Sequence, residues 1–296
     1  MFKNEANQVR AGWLILLAFV SMFIAQQIFA VPGSVVLTLI DFPFQDGNYM
    51  IDLNAAFDRH PWVFLMTQGG GTVGGMLATV LLWRFVNKGT LKELGFRGSL
   101  KDFGFGLFLG ALSIFIIFLM LLATGNIALL NPLSKPEFSI YTLTFLLLFI
   151  LVGFFEEMFF RGYVMSTMES RRNPKWVIYV VSALVFSLMH GANPNVSVLG
   201  LVNIALVGIL FAYMFDVTKS LWLPIGYHIT WNYFQGNVFG FAVSGISPHG
   251  IYNVSIESGN DVLTGGAFGL EGGLFATMLI VVSFFATKLY VNVKAK

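Results

Sequence analysis

Several polar side chains stand inside apolar stretches of this sequence, where ionisable groups are energetically costly. Glu156 and Glu157 are adjacent within a run of phenylalanines, and Arg161 follows about one helical turn later. Insertion scales give roughly 2.5 to 3.5 kcal/mol for a charged residue at the centre of a membrane helix. Two adjacent carboxylates in such a place therefore indicate a function.

Two later apolar stretches carry the other polar residues of interest. His190 lies in the first of them, and His228 lies in the second together with Asn232. Because His228 and Asn232 are four residues apart, both side chains face the same side of a helix. A histidine beside an asparagine can donate hydrogen bonds to the oxyanion that develops during carbonyl hydrolysis.

The two glutamates of the pair lead to different expectations. Glu157 precedes Arg161 by four residues, which is the favourable order for an ion pair on one helix face, and we expect a structural pair. Glu156 points about 100° away from Glu157 and needs another partner. His190 and His228 are the candidates, because a carboxylate near an imidazole can activate water as a general base.

The same side chains leave a second chemistry open. Glu156, His190 and His228 are a ligand set that zinc accepts, with an open position for water. The sequence has no His-Glu-x-x-His motif, which excludes a zincin. It contains no cysteine, which excludes disulfides, a cysteine-based metal site and a thiol nucleophile. Water activation by a carboxylate with a histidine and water activation by zinc both lead to hydrolysis of a carbonyl bond.

The composition places these residues in a membrane protein. Of the 296 residues, 56% are hydrophobic and 11% are charged, whereas soluble domains contain about 25% charged residues. The net charge of +2 and the lack of a Lys/Arg run indicate no nucleic-acid partner. We expect an all-α integral membrane protein with a single polytopic domain over residues 1–296, in contact with membrane lipid.

Apolar segments of about 20 residues predict about eight transmembrane helices. The first segment is too long for a signal-peptide core, so we expect it to be retained. Glycines at 69–71 and 74–75 in the second segment permit close helix approach. The predicted spans are 11–31, 62–86, 104–124, 139–165, 176–192, 197–215, 221–240 and 271–290.

Lysine and arginine concentrate in alternate loops of this arrangement. Nearly all of them, including Lys296, fall on the side of the two termini, and only Arg59 and Lys135 fall opposite. The opposite loops carry acidic residues such as Asp46 and Asp52. This positive-inside distribution predicts a multi-pass protein of the cell (plasma) membrane with both termini cytoplasmic.

Helix geometry brings the polar residues to comparable depths. Measured from the basic end of each span, Glu157, His190 and His228 lie roughly 18, 22 and 13 Å into the membrane. They can meet only if the fourth, fifth and seventh spans pack together. We therefore expect the active site between spans 4, 5 and 7, in a motif-bearing core of about 139–240.

Three short motifs occur in order on these spans: Glu156-Glu157-x-x-x-Arg161, Phe186-x-x-x-His190 and His228-x-x-x-Asn232. Together they resemble the motifs of the CAAX prenyl endopeptidase and bacteriocin-processing (CPBP) family of intramembrane proteases. Each motif is weak by itself, but the ordered set is quite specific. Stretches at 239–245 and 263–273 resemble those of a bacterial subset, so a bacterial-type member is expected.

The resemblance implies a role for each residue. Glu156 would activate the attacking water with His190, and His228 with Asn232 would stabilise the oxyanion. Family members are described as metalloproteases, but a metal-free, glutamate-dependent mechanism is also argued for them. We expect no obligate metal; if a metal such as zinc is used, Glu156, His190 and His228 would hold it.

The expected activity is cleavage of membrane-embedded or lipid-modified peptides, with bacteriocin processing as one example. The alternatives are a non-catalytic membrane partner, such as a bacteriocin immunity protein, and a transporter, because intramembrane ionisable groups also serve proton relays. No inverted repeat is recognisable, which argues against a transporter. Of the remaining polar residues, Glu271 is interpreted as a structural cap of the last span, and His60 and His249 as solvated loop residues.

Overall fold

Helices make up most of this computed structural model, which describes residues 2–41, 53–257 and 259–294. Asp46, Asp52 and Lys296 of the predicted loops lie outside these ranges. Two short strands, β1 (Ile127–Leu129) and β2 (Val254–Ile256), pair antiparallel. The helices are α1 Ala11–Asp41, α2 Leu53–Arg59, α3 Pro61–Phe85, α4 Leu91–Leu94, α5 Leu100–Ala123, α6 Ile140–Ser170, α7 Lys175–Met189, α8 Val198–Thr218, α9 Trp222–Tyr233, α10 Asp261–Thr264 and α11 Leu274–Lys294.

The eight predicted spans each correspond to a helix. Seven helices of the described chain are long and apolar enough to cross a membrane, namely α1, α3, α5, α6, α7 with its last turn, α8 and α11. The predicted seventh span is α9, whose 12 residues continue as a π-helical turn over Phe234–Val238. Most side chains of α9 are buried among the other helices. The architecture is that of an all-α, multi-pass membrane protein.

Helix α1 continues past its predicted end at residue 31. The prediction stopped before Pro32, but this proline lies inside the helix. Membrane helices tolerate proline where neighbouring elements compensate for the lost backbone hydrogen bond. The neighbour here is α3, because a Cβ on Gly33 would collide with Thr67. Helix α6 also exceeds its prediction of 139–165, since a final α-helical turn, Ser166–Ser170, follows its π-helical segment.

The glycine patch of α3 forms the close helix contact expected from the sequence. A Cβ on Gly70 would lie 2.6 Å from the Phe29 carbonyl oxygen of α1. A Cβ on Gly74 would lie 2.5 Å from the Ala25 carbonyl oxygen. Only glycine permits this backbone approach, so α1 and α3 pack as a tight pair.

Contacts between polar residues join the basic ends of several helices at one surface, the basic face. They bring the start of α1 and the end of α11 to that same face. These contacts are Arg171 with the Val9 carbonyl, Lys219 with Glu169, Arg97 with the Lys219 carbonyl and Lys294 with Asp102.

The strand pair β1–β2 follows the far end of α5 and marks the opposite face of the bundle. Arg59, one of the two basic residues predicted on that side, donates hydrogen bonds to both carboxylate oxygens of the buried Asp41. His60 lies on the same side and approaches Asp41 at 3.5 Å, so it is not merely solvated. His249 is exposed, as expected from the sequence.

Helix α9 is held in the centre of the bundle by glycine contacts on two sides. Gly226 faces α5, where a Cβ would lie 2.5 Å from the Phe103 carbonyl oxygen. Gly153 of α6 faces α9, where a Cβ would lie 2.7 Å from Ile229. Because α6 and α9 approach this closely, polar side chains on their facing surfaces can make direct contact.

Candidate active site

The structure places Glu156 and Glu157 in different surroundings. Glu157 is fully buried, and its Oε1 accepts a 2.9 Å hydrogen bond from Arg161 Nη1. The Glu156 side chain keeps 19% of its surface exposed and lines an internal cavity. Neighbouring helix positions point about 100° apart. One carboxylate of the pair therefore faces packed protein while the other faces open space.

Aromatic rings surround the Arg161 guanidinium. Its Cζ lies 4.4 Å from the ring centroid of Phe186 and 5.0 Å from that of Phe211. Its Nη2 donates a 3.3 Å hydrogen bond to the carbonyl oxygen of Gly208. A desolvated cation–π contact contributes about 2 kcal/mol. The buried charge is thus stabilised by Glu157, two rings and a backbone carbonyl.

His228 contacts both glutamates across the α6–α9 interface. Its Nδ1 lies 2.9 Å from Glu157 Oε1, and its Nε2 lies 3.7 Å from Glu156 Oε2. The carboxylate paired with Arg161 can only accept, so His228 Nδ1 donates the hydrogen. Glu157 therefore orients His228 as well as neutralising Arg161. Spacing along one helix could not have revealed this contact, which joins two helices.

His190 is oriented by its own helix. It follows the last residue of α7 and opens the 3₁₀ turn His190–Ala192. Its Nδ1 lies 2.8 Å from the carbonyl oxygen of Phe186, one turn earlier. Because a carbonyl oxygen only accepts, Nδ1 donates and Nε2 is the nitrogen left free. His190 lines the same cavity as Glu156.

Asn232 lines the cavity from α9, one turn beyond His228. Its side-chain amide makes no hydrogen bond within the described ranges, so it is available to a ligand. Two helices change to π-helical geometry beside the site, at Met158–Met165 and at Phe234–Val238. Such turns are frequent at functional sites, and the sequence pattern had predicted regular helix at both places.

The four residues expected to be catalytic, Glu156, His190, His228 and Asn232, line one cavity of about 570 Å³. They come from α6, α7 and α9, which are the fourth, fifth and seventh predicted spans. Much of the remaining wall is aromatic and includes Phe57, Phe64, Phe145 and Phe149. A mostly apolar cavity with a few converging polar groups is the usual form of a ligand site.

A zinc ion would require Glu156, His190 and His228 to converge on one point. Among the residues that the structure describes, no three His, Cys, Asp or Glu side chains form such a group. In addition, His228 directs one ring nitrogen to Glu157 and the other towards Glu156. These positions do not fit a three-ligand zinc centre.

Glu271 also lines this cavity, which the interpretation as a helix cap did not anticipate. It lies in the 3₁₀ turn Leu270–Gly272, just before α11. Its Oε2 accepts a 2.5 Å hydrogen bond from Gln235 Nε2, at the end of the α9 segment. The signal available in the sequence was a lone acid in a glycine-rich stretch, which by itself is typical of a turn.

A comparison with protein families agrees with the three motifs. Residues 138–234 match the model described as type II CAAX prenyl endopeptidase Rce1-like. This Rce1-like segment is similar to that family. No curated protein and no solved structure matched the chain.

The Rce1-like segment covers the helices α6, α7, α8 and α9. The matched model is named for an endopeptidase family. The segment ends before Gln235 and Glu271. It contains Glu156, Glu157, Arg161, His190, His228 and Asn232.

Proposed function

We propose that this protein is an intramembrane endopeptidase in which Glu156 activates water for attack on a peptide bond. The observation that carries the proposal is the position of Glu156 in a cavity shared with His190, His228 and Asn232. Glu156 Oε2 has no hydrogen-bond partner among the described residues. The side chain as a whole keeps 19% of its surface exposed, so its carboxylate can accept a proton from water in the cavity.

In the proposed reaction, the water oxygen bonds to the carbonyl carbon of the substrate while Glu156 takes the water proton. His190, whose Nδ1 is occupied by the Phe186 carbonyl, offers Nε2 to help hold the water. Glu156 then passes the proton to the departing amine nitrogen as the carbon–nitrogen bond breaks. One carboxylate therefore serves as general base and then as general acid.

The oxyanion formed by this attack needs hydrogen-bond donors, and α9 supplies two. Asn232 contributes its side-chain N–H group. His228 contributes Nε2–H in its doubly protonated form, and its ring is oriented by the 2.9 Å hydrogen bond between Nδ1 and Glu157 Oε1. Preorganised donors of this kind contribute about 10²- to 10³-fold each to the rate of acyl transfer.

The aromatic wall of the cavity supports an apolar substrate. Phe57, Phe64, Phe145 and Phe149 would contact a transmembrane or lipid-modified peptide rather than a hydrophilic one. The basic face, which holds the start of α1 and the end of α11, supports cytoplasmic termini by the positive-inside rule. We place the protein in the plasma membrane of a bacterium, where bacteriocin-like peptides are one substrate class.

The decisive experiment follows cleavage of a lipid-modified or transmembrane peptide by the protein purified in detergent. The parent is compared with Glu156→Ala and His190→Ala, and with Glu257→Gln, which removes an exposed carboxylate outside the cavity. We expect cleavage by the parent and the control alone, with a pH profile that depends on a carboxylate and an imidazole. Equal rates for the parent and Glu156→Ala would refute the proposal.

Two further measurements separate the competing interpretations. Metal analysis of the purified protein, followed by an assay with and without chelator, tests the zinc alternative; chelator-resistant cleavage is expected. The second measurement tests whether Glu156→Gln restores the phenotype of cells that lack the protein. Restoration would favour a non-catalytic partner, such as an immunity protein.

A further inference from the structure

The reaction cavity contains a second buried carboxylate, which the Rce1-like segment does not include. Glu271 is 7% exposed, and its Oε1 accepts a 3.4 Å hydrogen bond from Ser244 in addition to the bond from Gln235. No Lys, Arg or His side chain pairs with it in the part of the chain that the structure describes. Burial raises the pKa of Glu271 to about 6. A buried carboxylate without a cation is costly unless a ligand compensates it.

The backbone of the loop around Glu271 is fixed by a tight glycine contact and by hydrogen bonds from a side chain. Gly269 has a φ of 107°, and a Cβ there would collide with the Ala242 carbonyl. Asn203 Nδ2 donates hydrogen bonds to the carbonyl oxygens of Glu271 and Gly273 at 2.7 and 2.9 Å. The backbone on both sides of the carboxylate is therefore anchored. This anchoring holds the side chain towards the cavity.

Gln235 is the side chain that makes the shortest hydrogen bond to the Glu271 carboxylate. Gln235 is fully buried, and its Nε2 already donates to Glu271 and to the Ala242 carbonyl. Its Oε1 has no partner within the described chain. Glu271 itself lines the cavity, and a carboxylate that faces a cavity binds a ligand that carries N–H groups. An ammonium group has three such donors and a guanidinium group has five.

Two connections place this acceptor group next to the catalytic residues. Gln235 follows Asn232 by three residues on the same helical segment. Asn193 follows His190 by three residues and donates a 3.1 Å hydrogen bond to the Ser244 carbonyl. An extended peptide advances about 3.3 Å per residue. We therefore expect the substrate side chain that meets Glu271 to lie close to the cleaved bond.

We propose that Glu271, with Ser244 and Gln235 behind it, forms a subsite that binds a cationic side chain of the substrate. The ligand is a lysine or arginine close to the cleaved bond of an otherwise apolar peptide. The proposal rests on the endopeptidase function proposed above, since it assigns the specificity of the same cavity. It makes Glu271 a specificity-determining residue, separate from the water-activating Glu156.

The test measures peptide binding by a variant without the expected catalytic base, so that the result does not depend on cleavage. Glu156→Gln protein in detergent is titrated with a lipid-modified peptide carrying lysine near the intended cleavage site. A second peptide carries norleucine, which has a similar length but no charge. We expect the lysine peptide to bind about tenfold more tightly, the size of one charge-assisted hydrogen bond.

The double variant Glu156→Gln/Glu271→Gln is expected to bind the two peptides equally. Glu156→Gln/Glu257→Gln is the matched control and is expected to keep the preference, since Glu257 is exposed outside the cavity. Equal binding by Glu156→Gln, or a preference retained after Glu271→Gln, would overturn the subsite. If Glu271→Gln does not fold, Glu156→Gln/Ser244→Ala is used instead. We expect this variant to bind the lysine peptide more tightly than the norleucine peptide by a smaller factor.

Cleavage assays then distinguish the two proposals. If the parent cleaves neither peptide while the lysine preference in binding depends on Glu271, the endopeptidase function fails and the subsite stands. If the parent cleaves both peptides with equal kcat/KM, the function stands and the subsite fails. A lysine preference of about tenfold in kcat/KM that Glu271→Gln abolishes supports both.

Discussion

Two regions of this molecule meet at a single pair of adjacent glutamates and differ in how their polar groups are satisfied. The buried region contains Glu157, Arg161 and the rings of Phe186 and Phe211, and its ion pair is enclosed on all sides. The cavity region contains Glu156, His190 and Asn232, which face open space. His228 lies between the regions and contacts both glutamates.

We expect the buried region to determine the stability of the protein and the cavity region to determine its reactivity. Removing one partner of a buried ion pair leaves an uncompensated charge, so the buried region should govern whether the helices stay assembled. A carboxylate that faces a cavity with few partners contributes little to packing but remains free to react. Variants of the two regions should therefore change different measured quantities.

Glu156→Gln should produce the largest effect, on the rate of cleavage. Loss of a general base lowers the rate about 10²- to 10⁴-fold. The free energy of unfolding should change by no more than about 0.5 kcal/mol, because the side chain makes few contacts. Initial cleavage rates and unfolding in detergent measure the two quantities. A large loss of stability would show that Glu156 belongs to the buried region instead.

Arg161→Met should have its main effect on stability. It leaves the Glu157 carboxylate buried without its cation, at a cost of about 3–5 kcal/mol. Unfolding in detergent measures this loss. The control is the double variant Glu157→Gln/Arg161→Met, which removes both charges and should recover much of the stability. A single variant as stable as the parent would contradict the structural role of the pair.

Asn232→Ala should lower the cleavage rate by about 10²- to 10³-fold, as expected for one oxyanion donor. The loss should fall on kcat with KM nearly unchanged, because the hydrogen bond forms only as the charge develops. Steady-state kinetics with the peptide substrate separate the two constants. An effect confined to KM would assign Asn232 to substrate binding in the ground state.

Gly208→Ala should give the smallest effect and should act only on the buried region. A Cβ there would lie 2.9 Å from Ala183 Cα, so α8 must move away from α7. Overpacking of this kind costs about 1–3 kcal/mol. Unfolding in detergent measures the loss. Gly104→Ala is the matched control, since a Cβ at that helical position meets nothing within 4 Å, and it should not destabilise the protein.

Much of the fold could be predicted from the sequence because the membrane simplifies the problem. A continuous apolar segment must form a helix there, since every backbone polar group needs an internal partner. The eight segments therefore each correspond to a helix, but the end of α1 was placed at residue 31, whereas the helix continues through Pro32 to Asp41. The tolerance of Pro32 depends on how α1 packs against α3, which no local pattern reports.

The candidate site could be predicted only in part. Glu157 and Arg161 share one helix, so their spacing was enough to predict the pair. The contact of Glu157 with His228 joins α6 to α9, and the position of Glu271 depends on a glycine loop folding against residues 242–244. Both arise from packing between segments that are distant in the chain.

The sequence by itself determined the class of the protein, the apolar segments that form its helices, and the polar residues whose burial in those segments is energetically costly. These follow from hydrophobicity and helical period, which are properties of single segments. Only the tertiary structure decided which glutamate faces the cavity, which one orients His228, and that Glu271 lines the same cavity. The physical reason is that the direction and partners of a side chain depend on the neighbouring helices, whose arrangement is set by packing of the whole bundle.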